Sequence, residues 1–162
     1  MKLKKLDVSF YDDHTHLVQA LDNHEGSWNR SKTRGYGFVI LNINQLTFGI
    51  PLRSHIKHKA SYLTHREKTQ TPSLGIIGKG LDFSKALLIS DPKYISSEIY
   101  KIPDEEYTKL IGKEHYICDR FNKYVNKYIH AIQRQDINIL NDLEYRFTTL
   151  QNYHRELGLE NT

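Results

Sequence analysis

The stretch "FVILNINQLTFGIPLRSHIKHK", residues 38–59, holds most of what can be read about the fold. "FVILNI" is β-rich, and Asn44-Gln45 reads as a turn. In "LTFGIPL", Leu46, Phe48, Ile50 and Leu52 alternate with Thr47, Gly49 and Pro51, the period of a strand. The two runs predict an antiparallel hairpin. Proline has no N–H for a ladder, so pairing is expected to end near Pro51. That makes "RSHIKHK", residues 53–59, a loop at a strand end. This loop holds Arg53, Ser54, His55, Lys57, His58 and Lys59 and no acid. Such groups bind phosphate or move protons.

Outward from the hairpin, "DVSFYDDHTHLVQALDNHE" predicts a short helix. Asp12 or Asp13 caps it, Leu17, Val18 and Leu21 form its apolar edge, and Gly26 ends it. Residues 26–37 are a polar connector with Arg30, Lys32 and Arg34. Residues 60–73 look irregular and exposed. Short strands are expected at "LGIIG" and around "DFSKALLIS", with Lys79-Gly80 between them and Pro92 closing the β-rich half. The last third is helical. "IPDEEYTKLIG" has the acidic first turn of a helix. Ile117, Phe121, Val125, Tyr128 and Ile132 make an apolar stripe through the next segment. A third helix is expected through Leu140, Leu143, Phe147 and Leu150, with Gly158 as its stop. The pattern predicts one α+β domain over residues 1–162, a curved and mainly antiparallel sheet with helices packed on it.

The chain has 162 residues, a formal charge of +4, nine histidines and eleven tyrosines. It is 38% hydrophobic and 26% charged, a globular composition. No apolar run approaches the ~18 residues that suggest a membrane span. The N-terminus lacks the apolar core of a signal peptide. A single cysteine, Cys118, excludes an internal disulfide framework and suits a reducing cytoplasm.

Several chemistries lack their residues. His14 and His16, at i and i+2 of a helix, point to different faces and chelate poorly. Between Ser27 and Ser90 the acids are Glu67 and Asp82, too few for a carboxylate-built two-metal nuclease or a glycosidase pair. No P-loop or dinucleotide fingerprint is present. What remains is cofactor-free chemistry on an anion. Three segments supply the groups: "SKTRGYG" with Lys32, Arg34 and Tyr36; "RSHIKHK"; and "KGLDFSK" with Lys79, Asp82, Ser84 and Lys85. If they share one pocket, cations neutralise a phosphate, serine donates to a nonbridging oxygen, and a histidine, tyrosine or lysine shuttles a proton. RNA brings its own nucleophile, the 2′-OH. Taken singly, each cation reads as solvated surface, Ser54 as a turn residue, and Arg34 and Arg53 as structural partners of Asp82. The basic stripe of Arg120, Lys123, Lys127 and Arg134 reads as a solvated helix face or a phosphate-binding one.

The phrases "KTRGYG", "FGIPLRS" and "KGLDFSKALLI", followed by a helical third, resemble the ToxN/AbiQ superfamily. These are the endoribonuclease toxins of type III toxin–antitoxin systems, and the likeness is greatest to the TenpN branch. The resemblance implies a strongly bent sheet similar to the Kid and MazF toxins. It implies metal-independent cleavage of cellular or phage RNA to a 2′,3′-cyclic phosphate and a 5′-hydroxyl. It also implies inhibition by a small structured RNA, a pseudoknot in known members, in a closed toxin–RNA assembly. Phage defence by abortive infection is the usual setting. Ser54 falls on the family's serine. Arg53 stands where the family has threonine, and Lys57 lies one place later than the family's lysine. Arg34 falls on its upstream basic residue, with Lys32 as rival, and Tyr36 is a candidate for its tyrosine. His55 and His58 have no counterpart. On this reading Ser54 contacts phosphate oxygen, Arg53 and Arg34 stabilise charge, and Lys57, His58 or Tyr36 moves protons. Lys32, His55, Lys59, Lys79, Lys85, Lys123 and Lys127 are the candidate RNA contacts. The alternatives are a non-catalytic RNA-binding module on the same basic loop, and a toxin neutralised by a protein.

Overall fold

The computed structural model describes residues 1–68 and 75–160. It is α+β, with every paired strand antiparallel. The strands are β1 (Lys4–Leu6), β2 (Asn23–His24), β3 (Ser27–Trp28), β4 (Tyr36–Ile40), β5 (Thr47–Ile56), β6 (Ser61–Arg66), β7 (Gly78–Asp82), β8 (Leu87–Leu88) and β9 (Ile95–Ile99). Seven form one sheet in the order β6-β7-β5-β4-β1-β9, with β8 also on β5, while β2 and β3 form a separate hairpin. The helices are α1 (Val8–Asp13), α2 (Asp104–Tyr107), α3 (Glu114–Arg134) and α4 (Ile137–Leu140). No helix among the described residues is long and apolar enough to cross a membrane.

The hairpin expected in residues 38–59 forms, but its second strand does not stop at proline. β5 spans ten residues and includes Arg53, Ser54, His55 and Ile56, which the sequence assigns to a loop. The reason is where Pro51 falls. Leu52 N–H donates to the Gly35 carbonyl at 2.8 Å, toward β4. Successive residues of a strand direct their N–H groups to opposite edges, so the Pro51 nitrogen faces the other edge. On that edge β8 pairs with Phe48 and Gly49, and β7 pairs from Leu52 onward. Pro51 lies in the gap between two partners and withholds no ladder bond.

Other elements also differ from the sequence expectation. β1 and β9 pair with each other although neither stands out as a strand; β9 follows Pro92, so the sheet does not close there. β6 occupies residues expected to be irregular, and residues 69–73 of that segment lie outside the described residues. β7 runs through Lys79-Gly80, the expected break. Gly80 is required there: a Cβ would come within 2.0 Å of the Tyr62 carbonyl oxygen, so only glycine lets β6 and β7 approach. Phe83–Lys85 is a 3-10 turn rather than strand. Asp7, not Asp12 or Asp13, caps α1, which ends well before Gly26. The expected third helix is broken into α4 and a 3-10 turn at Thr149–Asn152, leaving Leu143 and Phe147 exposed.

α3 follows its stripe. Ile117, Phe121, Val125 and Tyr128 are buried, and Gln135 in the left-handed region ends the helix. Phe121 meets Phe48 of β5 at 5.3 Å and Phe83 at 5.8 Å between ring centroids. These rings join the helix to the sheet directly beneath the segment that carries the candidate site. Burial of each such ring contributes roughly 1.5–3 kcal/mol.

Candidate active site

The three segments singled out in the sequence lie on adjacent strands. Tyr36 of β4 pairs with Pro51 of β5, and Arg53 of β5 pairs with Gly80 of β7. Between Arg53 and Ile56 the register with β7 shifts, so Ser54 and His55 together face Lys79. This is a β-bulge, and His55 adopts φ +58° to make it. A non-glycine residue held there costs on the order of 1 kcal/mol. The bulge turns both Ser54 and His55 into solvent.

Just past the end of β5, four side chains converge. Asp82, fully buried, is their hub. Arg53 Nη1 donates to Asp82 Oδ2 at 2.9 Å. Ser84 donates to Asp82 Oδ1 through its N–H at 3.0 Å and its hydroxyl at 2.6 Å. His58 Nε2 lies 3.3 Å from the same Oδ1 and 3.2 Å from Ser84 Oγ. Burial pushes the Asp82 carboxyl up, but the hydrogen bonds and charge from His58, Ser84 and Arg53 outweigh it and hold it below its ordinary value.

This geometry fixes the histidine tautomer. A carboxylate can only accept, and the Ser84 hydroxyl proton is already directed at Asp82. His58 Nε2 therefore carries the hydrogen, and in the neutral ring Nδ1 is the bare nitrogen. The His58 side chain is 9% exposed, and its Nδ1 is buried without a hydrogen-bond partner among the described residues. A buried, oriented imidazole with one nitrogen unpartnered is the feature of this cluster that calls for an explanation.

A second cluster adjoins the first. Arg34 forks onto Asp22 through Nε (3.0 Å) and Nη2 (3.1 Å), and its Nη1 donates to the Leu52 carbonyl at 2.8 Å. Arg34 thus pairs with Asp22, not Asp82. Tyr36 is 2% exposed, and burial raises its hydroxyl well above its ordinary pKa, with Tyr11 close by. Lys85 is also buried; its Nζ donates to the carbonyls of Gln19 (2.9 Å) and Phe147 (2.7 Å). Gln19 and Asp22 are three residues apart, so Lys85 and Arg34 tie the same segment to the sheet. Lys79 is half-exposed and sits 3.4 Å from Glu106. Lys32 lies 4.0 Å from Asp22 and is largely exposed. Lys57, Lys59, Lys123 and Lys127 are exposed.

The expected convergence of side chains therefore occurs in part. Arg53, His58, Asp82 and Ser84 meet, and Ser54, His55 and Lys57 border them along the chain. Tyr36, Arg34 and Lys85 are close in the fold but already engaged or buried. No three His, Cys, Asp or Glu side chains gather to hold a metal ion among the described residues. Sequence reading undervalues Asp82 and Ser84. Their signal is the D-x-S spacing, in which the carboxylate caps its own turn, in an acid-poor half of the chain. No family model, no curated protein and no solved structure matches this chain.

Proposed function

We propose that this protein is an endoribonuclease toxin that cleaves RNA without a metal ion, held in check by a structured RNA. The observation that carries the reading is the buried His58, fixed through Nε2 by Asp82 and Ser84 and left with a bare Nδ1. In the proposed reaction, His58 Nδ1 takes the proton of a ribose 2′-OH. The 2′-oxygen attacks the adjacent phosphorus, and the bond to the 5′-oxygen breaks. Lys57 returns a proton to that leaving oxygen. The products are a 2′,3′-cyclic phosphate and a 5′-hydroxyl. Arg53 directs one N–H at Asp82 and faces the phosphate with the rest of its guanidinium, and Ser54 donates to a nonbridging oxygen from the bulge. Because Nδ1 is covered in the free protein, the scissile ribose displaces its cover on binding. Among the proton carriers weighed in the sequence, Tyr36 is set aside because burial raises its hydroxyl well above its ordinary pKa. The fork to Asp22 gives Arg34 a positioning role.

The wider reading is that of a type III toxin in the manner of ToxN/AbiQ and TenpN, acting in the cytoplasm on cellular or phage RNA. It rests on the likeness of "KTRGYG", "FGIPLRS" and "KGLDFSKALLI" to that group. It includes a sheet bent into a partial barrel like that of Kid and MazF; the support is the change of partner along β5, from β4 and β8 to β7. Short tandem repeats encoding RNA upstream of the gene would support the RNA antitoxin, and a small protein-coding gene there would point to a protein inhibitor. Purified protein incubated with total RNA in EDTA is the test. Cyclic-phosphate ends are expected. His58→Gln is expected to lower the rate by about 10²- to 10⁴-fold, and Ser54→Ala by roughly 10²- to 10³-fold, in folded protein. Intact RNA with the wild type, or full activity in His58→Gln, overturns the assignment.

A further inference from the structure

The strongest unassigned feature lies beside this site. A groove of about 600 Å³ opens between β6 and the start of α3. Its cations are Lys59, Arg66, Lys109, Lys113 and Arg120, and no carboxylate lines it among the described residues. Aromatic faces make one wall. Tyr62 and Tyr116 meet edge to face at 6.1 Å. The Arg120 guanidinium lies 5.8 Å from the Tyr116 ring and 5.4 Å from Phe83, and it donates to the Lys59 carbonyl at 3.2 Å. The Tyr62 hydroxyl donates to the Lys109 carbonyl. These bonds hold Tyr62 and the Arg120 guanidinium in place, and Tyr116 rests against both while remaining 53% exposed.

The groove does not end there. A second hollow of about 200 Å³ shares Lys59 and Arg120 with it and adds Lys123 and Lys127. Lys127 lies 5.9 Å from the Tyr145 ring. Glu144 is the one acid in the lining of this second hollow, against four cations. Tyr116, Arg120, Lys123 and Lys127 follow one another along α3, whose 21 residues extend roughly 30 Å at ~1.5 Å each. The path also passes the Asp82 cluster: Lys59 follows His58 in the chain, and Phe83 lies between Asp82 and Ser84.

We propose that this groove holds an unpaired RNA strand, its bases stacked on Tyr62, Tyr116 and Arg120 and its phosphates on Lys59, Lys109 and Lys113. The identification rests on the RNA reading above and adds the strand form. Stacked, paired bases hide the faces that these rings would meet, so a duplex gains only the phosphate interactions. An unpaired strand gains both. It also delivers a splayed ribose to His58, since the 2′-OH must align with the leaving oxygen for cleavage.

The test uses a fluorescent 2′-O-methyl RNA strand, which cannot be cut, with full-length protein in EDTA. The single strand is expected to bind at least tenfold more tightly than a duplex of the same sequence. Tyr116→Ala is expected to weaken it about five- to a hundredfold with the salt dependence unchanged. Lys109→Glu with Lys113→Glu is expected to weaken it and to flatten the slope of log K against log salt by about 0.7 for each phosphate left without its cation. The 2′-O-methyl strand reports binding without cleavage, so failure of the catalytic assignment leaves this result standing. Circular dichroism checks that each variant is folded. Equal affinity for duplex and single strand, equal affinity for poly-glutamate of matched charge, or wild-type binding by both groove variants overturns the proposal.

Discussion

At Asp82 two costs are set against each other. A fully buried carboxylate is expensive unless its oxygens are satisfied, and here Arg53 takes one oxygen while Ser84 and His58 share the other. Because these partners hold its pKa below the ordinary 3.8, the stability it contributes is complete above that value and is lost as the pH falls through the lower folded one. Wild-type protein is therefore expected to lose stability steeply below about pH 4, and Asp82→Asn to be less stable at neutral pH with a flatter acid profile. Urea unfolding at a series of pH values measures both, and parallel profiles would contradict this role for Asp82. The cations and His58 are legible in the sequence by their local enrichment, but the part played by Asp82 and Ser84 is not, because it depends on a turn that only the fold closes. Nor is it legible which cation holds Asp82. Arg34 and Arg53 are equivalent by type, and only the turn carrying Asp22, which is remote in sequence, separates them.

Strands and helices are unevenly legible. α3 carries its own evidence, since a stripe at helical spacing reports a buried face. β5 is recognisable but reads too short, because a proline in a strand is tolerated only where the neighbouring edge is open, and that depends on where β7 and β8 begin. β1 and β9 are short strands whose pairing with each other joins distant segments, and local sequence cannot announce it. The apolar third segment after α3 reads as a helix, but its exposed Leu143 and Phe147 show that spacing alone does not specify a buried face. The bulge at Ser54-His55 belongs to this scale. His55→Gly is expected to stabilise the protein by less than about 1 kcal/mol, because relief of the left-handed backbone (~1–2 kcal/mol) is partly offset by the added freedom of the unfolded chain (~0.4–1 kcal/mol). A loss of stability by thermal unfolding would show that the His55 side chain, not the bulge geometry, is what the fold needs.

For the molecule as a whole, the convergence of three segments is the main expectation, and the strand order β7-β5-β4 brings them side by side. Lys85 joins that region to both ends of the chain through the Gln19 and Phe147 carbonyls. Burial pushes its ammonium down to about 8, against an ordinary 10.5, although Asp82 pulls the other way. Its proton is therefore held more weakly folded than unfolded. Stability from this group is complete above the unfolded value and falls as the pH drops through about 8. The difference in unfolding free energy between wild type and Lys85→Met is expected to grow in favour of the wild type from pH 8 toward pH 10. A difference that stays flat over that range would contradict it.

The central claim is that His58, anchored by Asp82 and Ser84, takes a proton from RNA. Analysis of RNA ends after incubation in EDTA with wild-type and His58→Gln protein tests it most directly. Abundant 2′,3′-cyclic phosphates and 5′-hydroxyls are expected from the wild type, and almost none from the folded variant. Equal yields of cyclic phosphate from both proteins, or none from the wild type, would contradict it.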